Sequence, residues 1–418
     1  MTGLNPNRRT ALMGAAAFAG AAAFSKHGVG QMRDELARHV AAGEVPGLVA
    51  LVSCNGETHV ETLGTMAVGG TKPMARDTIF RIASITKPIT AAAAMVLVDD
   101  GRLELDAPVD RWLPELANRR VLRRFDGPLA DTVAAHRAIT VRDLMTQRLG
   151  LGFIMPPGDT PIQAAQIELG VAVAPDPPTA GDPDAFMRAI GSLPLAAHPG
   201  DEWLYQTGIE ILGVLVARAS GQSLEAFMRE RLFEPLGMVD TGFSVAPEKL
   251  HRLPPAYGGD VAAGQRTIYD PDGPASRYAK PPVFASGGSG LASTADDVAA
   301  IGPKMQVHGL NGRERVLSAA SVEAMTTDQL TAEQRQASAM FLDGAGWGLG
   351  MAAPAADGGG PKIPGGFGWD GGYGTSWRTD PKAGLVGVLL TQQMWTSPTP
   401  PAILDTFWAS AYRLAEAS

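Results

Sequence analysis

The chain is poor in cysteine and in positive charge. Cys54 is the only cysteine among 418 residues, which excludes an internal disulfide and a metal site built from several thiolates. We expect Cys54 to be a small buried residue of a strand. The 35 lysines and arginines are outnumbered by 43 acidic residues, and the arginine cluster at 119–124 is followed at once by Asp126 and Asp131. No nucleic-acid partner is therefore expected.

The sequence also lacks an apolar run that could form a stable membrane span. The run from Ala11 to Phe24 is too short to cross a bilayer. Arg8 and Arg9 precede this run and small residues lie within it, a layout typical of a twin-arginine export signal. The alternative is a disordered or loosely helical extension of a cytoplasmic protein. Residues 1–28 are thus predicted to be a signal or an extension, and a periplasmic or secreted location is the preferred interpretation.

Two common catalytic patterns are missing as well. The chain contains no G-x-S-x-G, the nucleophile motif of α/β-hydrolases, and none of its seven histidines has the context of a catalytic base. Residues 366–371 match G-x-G-x-x-G, but a strand-like stretch follows instead of a helix, which argues against a dinucleotide site. If the chain is a serine hydrolase, its base is therefore not expected to be a histidine.

The predicted elements place strands near both ends of the chain and helices between them. Gly47–Cys54 is an apolar run followed by an Asn-Gly hairpin signal, and Leu385–Thr391 is predicted to be a core strand. Helical segments joined by long proline-rich loops lie between them. We predict one sheet domain from residues 29–104 and 284–418, with a helical insertion at 105–283.

Ser84 and Lys87 form the only S-x-x-K sequence in the chain. They directly precede and enter the apolar segment Pro88–Val98, which we predict to be a buried helix because it lacks a polar face. At this spacing the hydroxyl and the amine share one helix face. Burial lowers the pKa of a lysine, so that a neutral amine can accept the proton of the serine. The alternative is a serine cap beside a solvated lysine, but the apolar surroundings favour the catalytic interpretation.

Further motifs give the chain a resemblance to the serine β-lactamase and penicillin-binding superfamily, particularly its class C and family VIII esterase branch. The resemblance extends over nearly everything after about residue 30. Its three motifs would be Ser84-Ile85-Thr86-Lys87, Tyr205-Gln206-Thr207 and Trp369-Asp370-Gly371. Supporting stretches are 220–223, 233–238 and 287–294.

This resemblance implies a fold and a set of roles. The fold is the β-lactamase-like α/β sandwich, an antiparallel sheet with helices on both faces plus an all-helical insertion. Ser84 would be acylated, Lys87 and Tyr205 would share the proton transfers, and the backbone amides of Ser84 and Gly372 would form the oxyanion hole. Substrate would be bound by Trp369, Thr207, Asp370 and Gly371. The family requires no metal or organic cofactor.

Two departures from the family pattern bear on the substrate. The second motif usually ends in Asn, where this chain has Thr207, and the third usually begins with Lys or His, where this chain has Trp369. A lysine there helps to hold the carboxylate of β-lactams and peptidoglycan peptides. An aromatic residue resembles the esterase branch, whose uncharged substrates are held by apolar walls. Arg378 is a candidate for a replacement cation.

We therefore predict a carboxylesterase for short-chain or aryl esters that acts through an acyl-enzyme on Ser84. One alternative is a β-lactamase, a D-amino peptidase or a small-amide hydrolase of the same fold. A second is a catalytically silent binding or sensor module, and acyl transfer to an alcohol is a variant of the hydrolase. The expected partner is a small-molecule ester, and the sequence does not determine the oligomeric state.

Overall fold

The computed structural model describes residues 24–153, 160–171, 176–306, 316–356, 366–397 and 399–417. Within those ranges, no helix combines the length and the apolar character that a membrane crossing requires. The export-signal prediction rests on Arg8 and Arg9, which lie outside the described residues, so it stays a prediction.

The chain folds into strands gathered mainly in one sheet and helices that cover it. The strands are β1 (Gly47–Cys54), β2 (Glu57–Gly64), β3 (Phe80–Arg81), β4 (Arg120–Leu122), β5 (Thr132–Ala134), β6 (Ala256–Gly258), β7 (Thr267–Asp270), β8 (Ala292–Ser293), β9 (Gly346–Trp347), β10 (Ala352–Ala353), β11 (Phe367–Gly371), β12 (Thr375–Asp380) and β13 (Leu385–Thr391). The helices are α1 (Lys26–Ala41), α2 (Thr86–Asp99), α3 (Val141–Met145), α4 (Pro161–Glu168), α5 (Pro183–Ser192), α6 (Thr207–Ser220), α7 (Leu224–Met228), α8 (Glu234–Leu236), α9 (Ala295–Gln306), α10 (Ala319–Thr326), α11 (Ala332–Ala337), α12 (Ala339–Leu342) and α13 (Ala402–Glu416).

The main sheet joins the two ends of the chain. Its strand order is β2-β1-β13-β12-β11-β10-β9, and neighbouring strands are antiparallel. The central pairing of β1 with β13 sets Leu48 opposite Thr391. The predicted antiparallel sheet with strands from both termini is confirmed.

Both faces of the sheet are buried, and alternate residues of β1 show how. Val49 and Leu51 belong to the larger hydrophobic core, which α2 and α6 also line. Leu48, Ala50 and Val52 belong to a second core, formed with α1 and α13 on the opposite face. Because successive side chains of a strand point to opposite faces, burial on both sides requires the continuous apolar run seen in the sequence.

The turn between β1 and β2 has the geometry that its dipeptide predicts. Asn55 and Gly56 have φ values of +50° and +92°. A two-residue type I′ hairpin needs the left-handed region at both positions, which Asn-Gly adopts at low cost. Cys54, just before the turn, is buried and its thiol is free, as expected.

The insertion at 105–283 is mainly helical and contains α3 to α8. It also holds two short antiparallel strand pairs, β4 with β5 and β6 with β7. The prediction that the insertion is all-helical is therefore wrong. Pairings of only three or four residues are too short to produce a strand periodicity in the sequence. Helix α6 of the insertion packs against α2 of the sheet domain, and this contact brings the predicted motifs together.

Candidate active site

Ser84 lies on a sharp turn directly before α2. The turn is a single 3-10 segment, Ala83–Ile85, and Ala83 has a φ of +45°. A residue with a side chain adopts this region only when the surrounding structure holds it there. One such support is the hydroxyl of Thr375 in β12, which donates to the carbonyl oxygen of Ile82 at 3.0 Å. The sheet therefore fixes the position of the serine.

The amino group of Lys87, one turn further along, forms a hydrogen bond with the Ser84 hydroxyl. Its Nζ lies 2.8 Å from Ser84 Oγ and 2.8 Å from the carbonyl oxygen of Gly288. The side chain is completely buried. Desolvation lowers the pKa of Lys87 to about 7, against the opposing effect of the negative charge of Glu210. A lysine with this pKa is partly neutral near neutral pH and can accept the proton of the serine.

Tyr205 approaches the same two residues from the insertion. Its carbonyl oxygen accepts a hydrogen bond of 2.7 Å from the amide of Phe153, which anchors the segment before α6. Lys87 Nζ lies 4.4 Å from the centroid of the Tyr205 ring. Burial raises the pKa of the Tyr205 hydroxyl, while Ser84 and Trp369 act on it in the opposite direction. In the resting site the phenol is therefore a proton donor, and the lysine is the better acceptor.

Trp369 supplies the hydrogen bond to this phenol. Its indole Nε1 donates to the Tyr205 hydroxyl oxygen at 2.6 Å. A donor at this position stabilises negative charge on the tyrosine oxygen. Trp369 thus contacts the hydroxyl of Tyr205 directly.

Asp370 is the one predicted site residue that the structure places away from this group. Side chains alternate along β11, so Asp370 points to the other face of the sheet from Trp369. Its carboxylate accepts hydrogen bonds from Ser376 and from both terminal nitrogens of Arg378. Ser376 in turn accepts from the indole of Trp408 in α13. Asp370 is thereby tied to the helix layer behind the sheet, and Arg378 with it.

Gly371 brings the end of β11 against the turn that carries the serine. A Cβ atom at Gly371 would lie 2.3 Å from the carbonyl oxygen of Ile82, so a larger residue would push the two segments apart. Gly372 follows directly after the strand. This close approach is what an oxyanion hole shared between Ser84 and Gly372 requires, and that assignment stays a prediction.

Thr207 lies at the start of α6, where its amide donates to the carbonyl oxygen of Tyr205 at 3.2 Å. The side chain is buried, and its hydroxyl has no hydrogen-bond partner among the described residues. A hydroxyl in this state can receive or donate one further hydrogen bond.

An aromatic wall surrounds the phenol. It consists of Trp203, Trp347 and Trp369, which are buried, and of Phe153 and Phe341, which are partly buried. The ring of Phe341, on the short helix α12, lies 5.0 Å from the ring of Tyr205. Neither phenylalanine stands out in the sequence, because the contact joins segments far apart along the chain. The wall is apolar, so it suits a substrate without charge.

A buried carboxyl group, Glu210, lies behind the lysine and was not singled out from the sequence. The only available signal was an acidic residue between Ile209 and Ile211 in an apolar helix. Two of the histidines, by contrast, have contacts elsewhere: His39 binds Glu44, and His59 binds Glu61. Among the residues with described positions, no cluster of His, Cys, Asp and Glu could hold a metal ion.

Comparisons with known proteins bear on the family and the fold of the chain. A model of the beta-lactamase family matches residues 32–405. Protein Rv1367c of Mycobacterium tuberculosis is 39% identical over 360 residues, which cover 84% of this chain and 86% of that protein. Esterase EstB of Burkholderia gladioli is 32% identical over 385 residues, covering 87% and 91%. The solved structure of EstCE1, a hydrolase with promiscuous acyltransferase activity, has a TM-score of 0.74 at 24% identity and covers 92% of this chain and 99% of its own, a likeness of fold.

Proposed function

The chain belongs to the beta-lactamase family, and on that basis we propose that it is a carboxylesterase that cleaves short-chain or aryl esters through an acyl-enzyme on Ser84. Esterase and acyltransferase relatives support hydrolase chemistry on this fold. The proposal extends that chemistry to a substrate class and to named residues.

The observation that carries the proposal is that Arg378, the candidate replacement cation among the residues with described positions, is already paired. Arg378, the candidate cation on the neighbouring strand β12, forms a bidentate ion pair with Asp370 at 2.9 and 2.8 Å. Both side chains are mostly buried, with 11% and 17% exposure. Recruiting Arg378 to a substrate carboxylate would leave Asp370 buried without its partner, which is costly. An uncharged ester makes no such demand, and the aromatic wall around Tyr205 can pack against it.

The reaction follows from the proton positions. Ser84 Oγ attacks the ester carbonyl carbon while its proton passes to neutral Lys87 Nζ. The bond to the alcohol oxygen then breaks as the Tyr205 hydroxyl gives its proton to that oxygen and regains one from the Lys87 ammonium. Water next attacks the acyl carbon and loses a proton to the same pair of groups. The bond from the acyl carbon to Ser84 Oγ then breaks as Oγ takes that proton back from the pair, which releases the acid and restores the Ser84 hydroxyl.

A substrate panel tests the proposal. Hydrolysis of p-nitrophenyl acetate and butyrate should exceed that of nitrocefin in kcat/KM by at least roughly tenfold to a hundredfold, because a missing charge-assisted hydrogen bond is worth about 1.5–3 kcal/mol. A fluorophosphonate probe should label the wild-type protein and leave Ser84→Ala unlabelled.

Three results would count against it. Turnover of nitrocefin as efficient as that of the esters would show that another cation holds the carboxylate and would favour the β-lactamase alternative. Labelling of the Ser84→Ala variant would move the nucleophile to another residue. If labelling occurs but alcohols compete with water for the acyl group, the protein is a transferase and the esterase assignment fails.

A further inference from the structure

Glu210 is a buried hydrogen-bond centre that the reaction scheme above does not use. It lies in the first turn of α6 and is inaccessible to solvent. Its Oε1 accepts from Gln206 Nε2 at 2.8 Å and from Ser286 Oγ at 2.7 Å. The amide of Gly288 also donates to this carboxyl group. Three donors from two segments therefore converge on one side chain.

Gly288 connects this centre to the lysine. Its amide binds Glu210, and its carbonyl oxygen accepts the hydrogen bond from Lys87 Nζ at 2.8 Å. A Cβ at Gly288 would lie only 2.5 Å from Glu210 Oε1, so the segment is pressed against the carboxyl group. A shift of Glu210 would move the carbonyl oxygen that orients the lysine.

Gln206 connects the same centre to the tyrosine. Its backbone has φ +83° and ψ −64°, a conformation that residues with side chains rarely adopt. Such a conformation persists only where neighbouring contacts enforce it, and the side-chain hydrogen bond to Glu210 is one of them. Tyr205 is the preceding residue, so the direction of its ring depends on this backbone.

We propose that Glu210 is a positioning residue of the acylation step. It holds the Gly288 carbonyl and the Gln206 backbone in place, so that the side chains of Lys87 and Tyr205 both remain directed at Ser84. This inference rests on the proposed acyl-enzyme at Ser84, but not on the identity of the substrate. Glu210 acts through other residues and does not contact the reacting atoms.

Burial raises the pKa of Glu210, while its hydrogen-bond donors and the positive charge of Lys87 oppose this rise, so the charges of Glu210 and Lys87 support each other and give a measurable signature. The titratable groups around it are Lys87 on α2 and Tyr205 before α6, and the field of Asp370 on β11 also reaches Tyr205. A negative Glu210 raises the pKa of Lys87 against the lowering by burial. Removing this charge lowers the pKa of Lys87 further, so Lys87 stays neutral to lower pH. The acidic limb of the acylation rate should then move to lower pH.

The experiment measures the rate of fluorophosphonate labelling of Ser84 against pH, together with kcat and KM for p-nitrophenyl butyrate. Wild-type labelling should rise through a pH of about 7. Glu210→Gln keeps an oxygen for the three donors, so its plateau should fall by less than about tenfold, while its acidic limb moves to lower pH. Glu210→Ala removes the acceptor and should lower the plateau and kcat by about a hundredfold with little change in KM.

A matched control is Asp297→Asn. Asp297 is also buried, its pKa is raised by burial, and it accepts from the Asp240 amide and the Thr241 hydroxyl. This variant should keep the wild-type rate and pH profile, so a general effect of neutralising a buried acid is separated from a local one.

The outcomes are distinct. A Glu210→Ala protein that labels at the wild-type rate overturns the inference. If that variant does not fold, the Glu210→Gln profile decides, and an unmoved acidic limb overturns it. If the wild-type protein labels at Ser84 and the Glu210 variants respond as expected but no ester is hydrolysed, the inference stands and the esterase proposal fails.

Discussion

Two buried basic side chains flank the nucleophile, and they differ in their partners. Arg81, before Ser84, forms an ion pair with the Asp270 carboxylate and donates to Ser276 and to the carbonyl oxygen of Pro254. Lys87, after Ser84, binds one hydroxyl and one carbonyl oxygen, and no ion pair between it and a carboxylate is present in the described part of the chain. The paired arginine keeps its charge, whereas the lysine, lacking a direct counter-ion, can lose its proton.

This difference separates stability from catalysis within one short segment. A charge held by a carboxylate and several hydrogen bonds fixes the fold, because breaking any contact leaves a buried group without a partner. A charge held by two neutral oxygens is poorly stabilised, which is the condition that a proton acceptor needs. The predictions below test each side of this contrast.

The largest effect is expected for Lys87→Met. The variant should lose ester hydrolysis by about a thousandfold or more, because the proton acceptor for Ser84 is gone. Its midpoint of thermal unfolding should not fall, since an apolar chain of similar length replaces a desolvated amine. Steady-state kinetics and calorimetry measure the two effects. A large drop in Tm would show that Lys87 stabilises the fold as Arg81 does, and would remove the contrast.

The opposite pattern is expected for Arg81→Met. It leaves Asp270 buried without its counter-ion and should lower the free energy of unfolding by about 3–5 kcal/mol. Denaturant unfolding measures this effect. The double variant Arg81→Met with Asp270→Leu is the control, and it should be more stable than the single variant because no unpaired charge remains. A single variant as stable as the wild type would contradict the assigned role of the pair.

The smallest effect is expected for Trp369→Phe, which keeps the aromatic wall and removes one donor from the Tyr205 oxygen. The loss of this hydrogen bond should reduce kcat by about tenfold or less, with KM for p-nitrophenyl butyrate little changed. Phe341→Leu serves as a comparison, since it alters the wall without touching the hydrogen bond and should act mainly on KM. If Trp369→Phe changes KM alone, Trp369 is only a wall residue.

Local patterns in the sequence were enough for a large part of the fold. The apolar run of β1 and its Asn55-Gly56 turn were predicted, because strand burial and turn geometry depend on residues that are neighbours in the chain. The short strand pairs of the insertion were not predicted, because strands such as β4 and β5 are each three residues long and show no periodicity in the sequence. The family motifs supplied Tyr205, which no local pattern would have indicated.

The candidate site divides in the same way. The sequence by itself determined that Ser84 and Lys87 lie one turn apart, so that the hydroxyl and the amine can meet, but it did not reveal that Trp369 and Asp370 point to opposite faces of β11. Only the tertiary structure decided which of those faces meets Tyr205 and that Arg378 is held by Asp370. It alone placed Glu210 against Gly288 behind the lysine. Contacts of this kind join segments that are far apart in the chain. Which segments meet depends on the packing of the whole molecule and follows from no local rule.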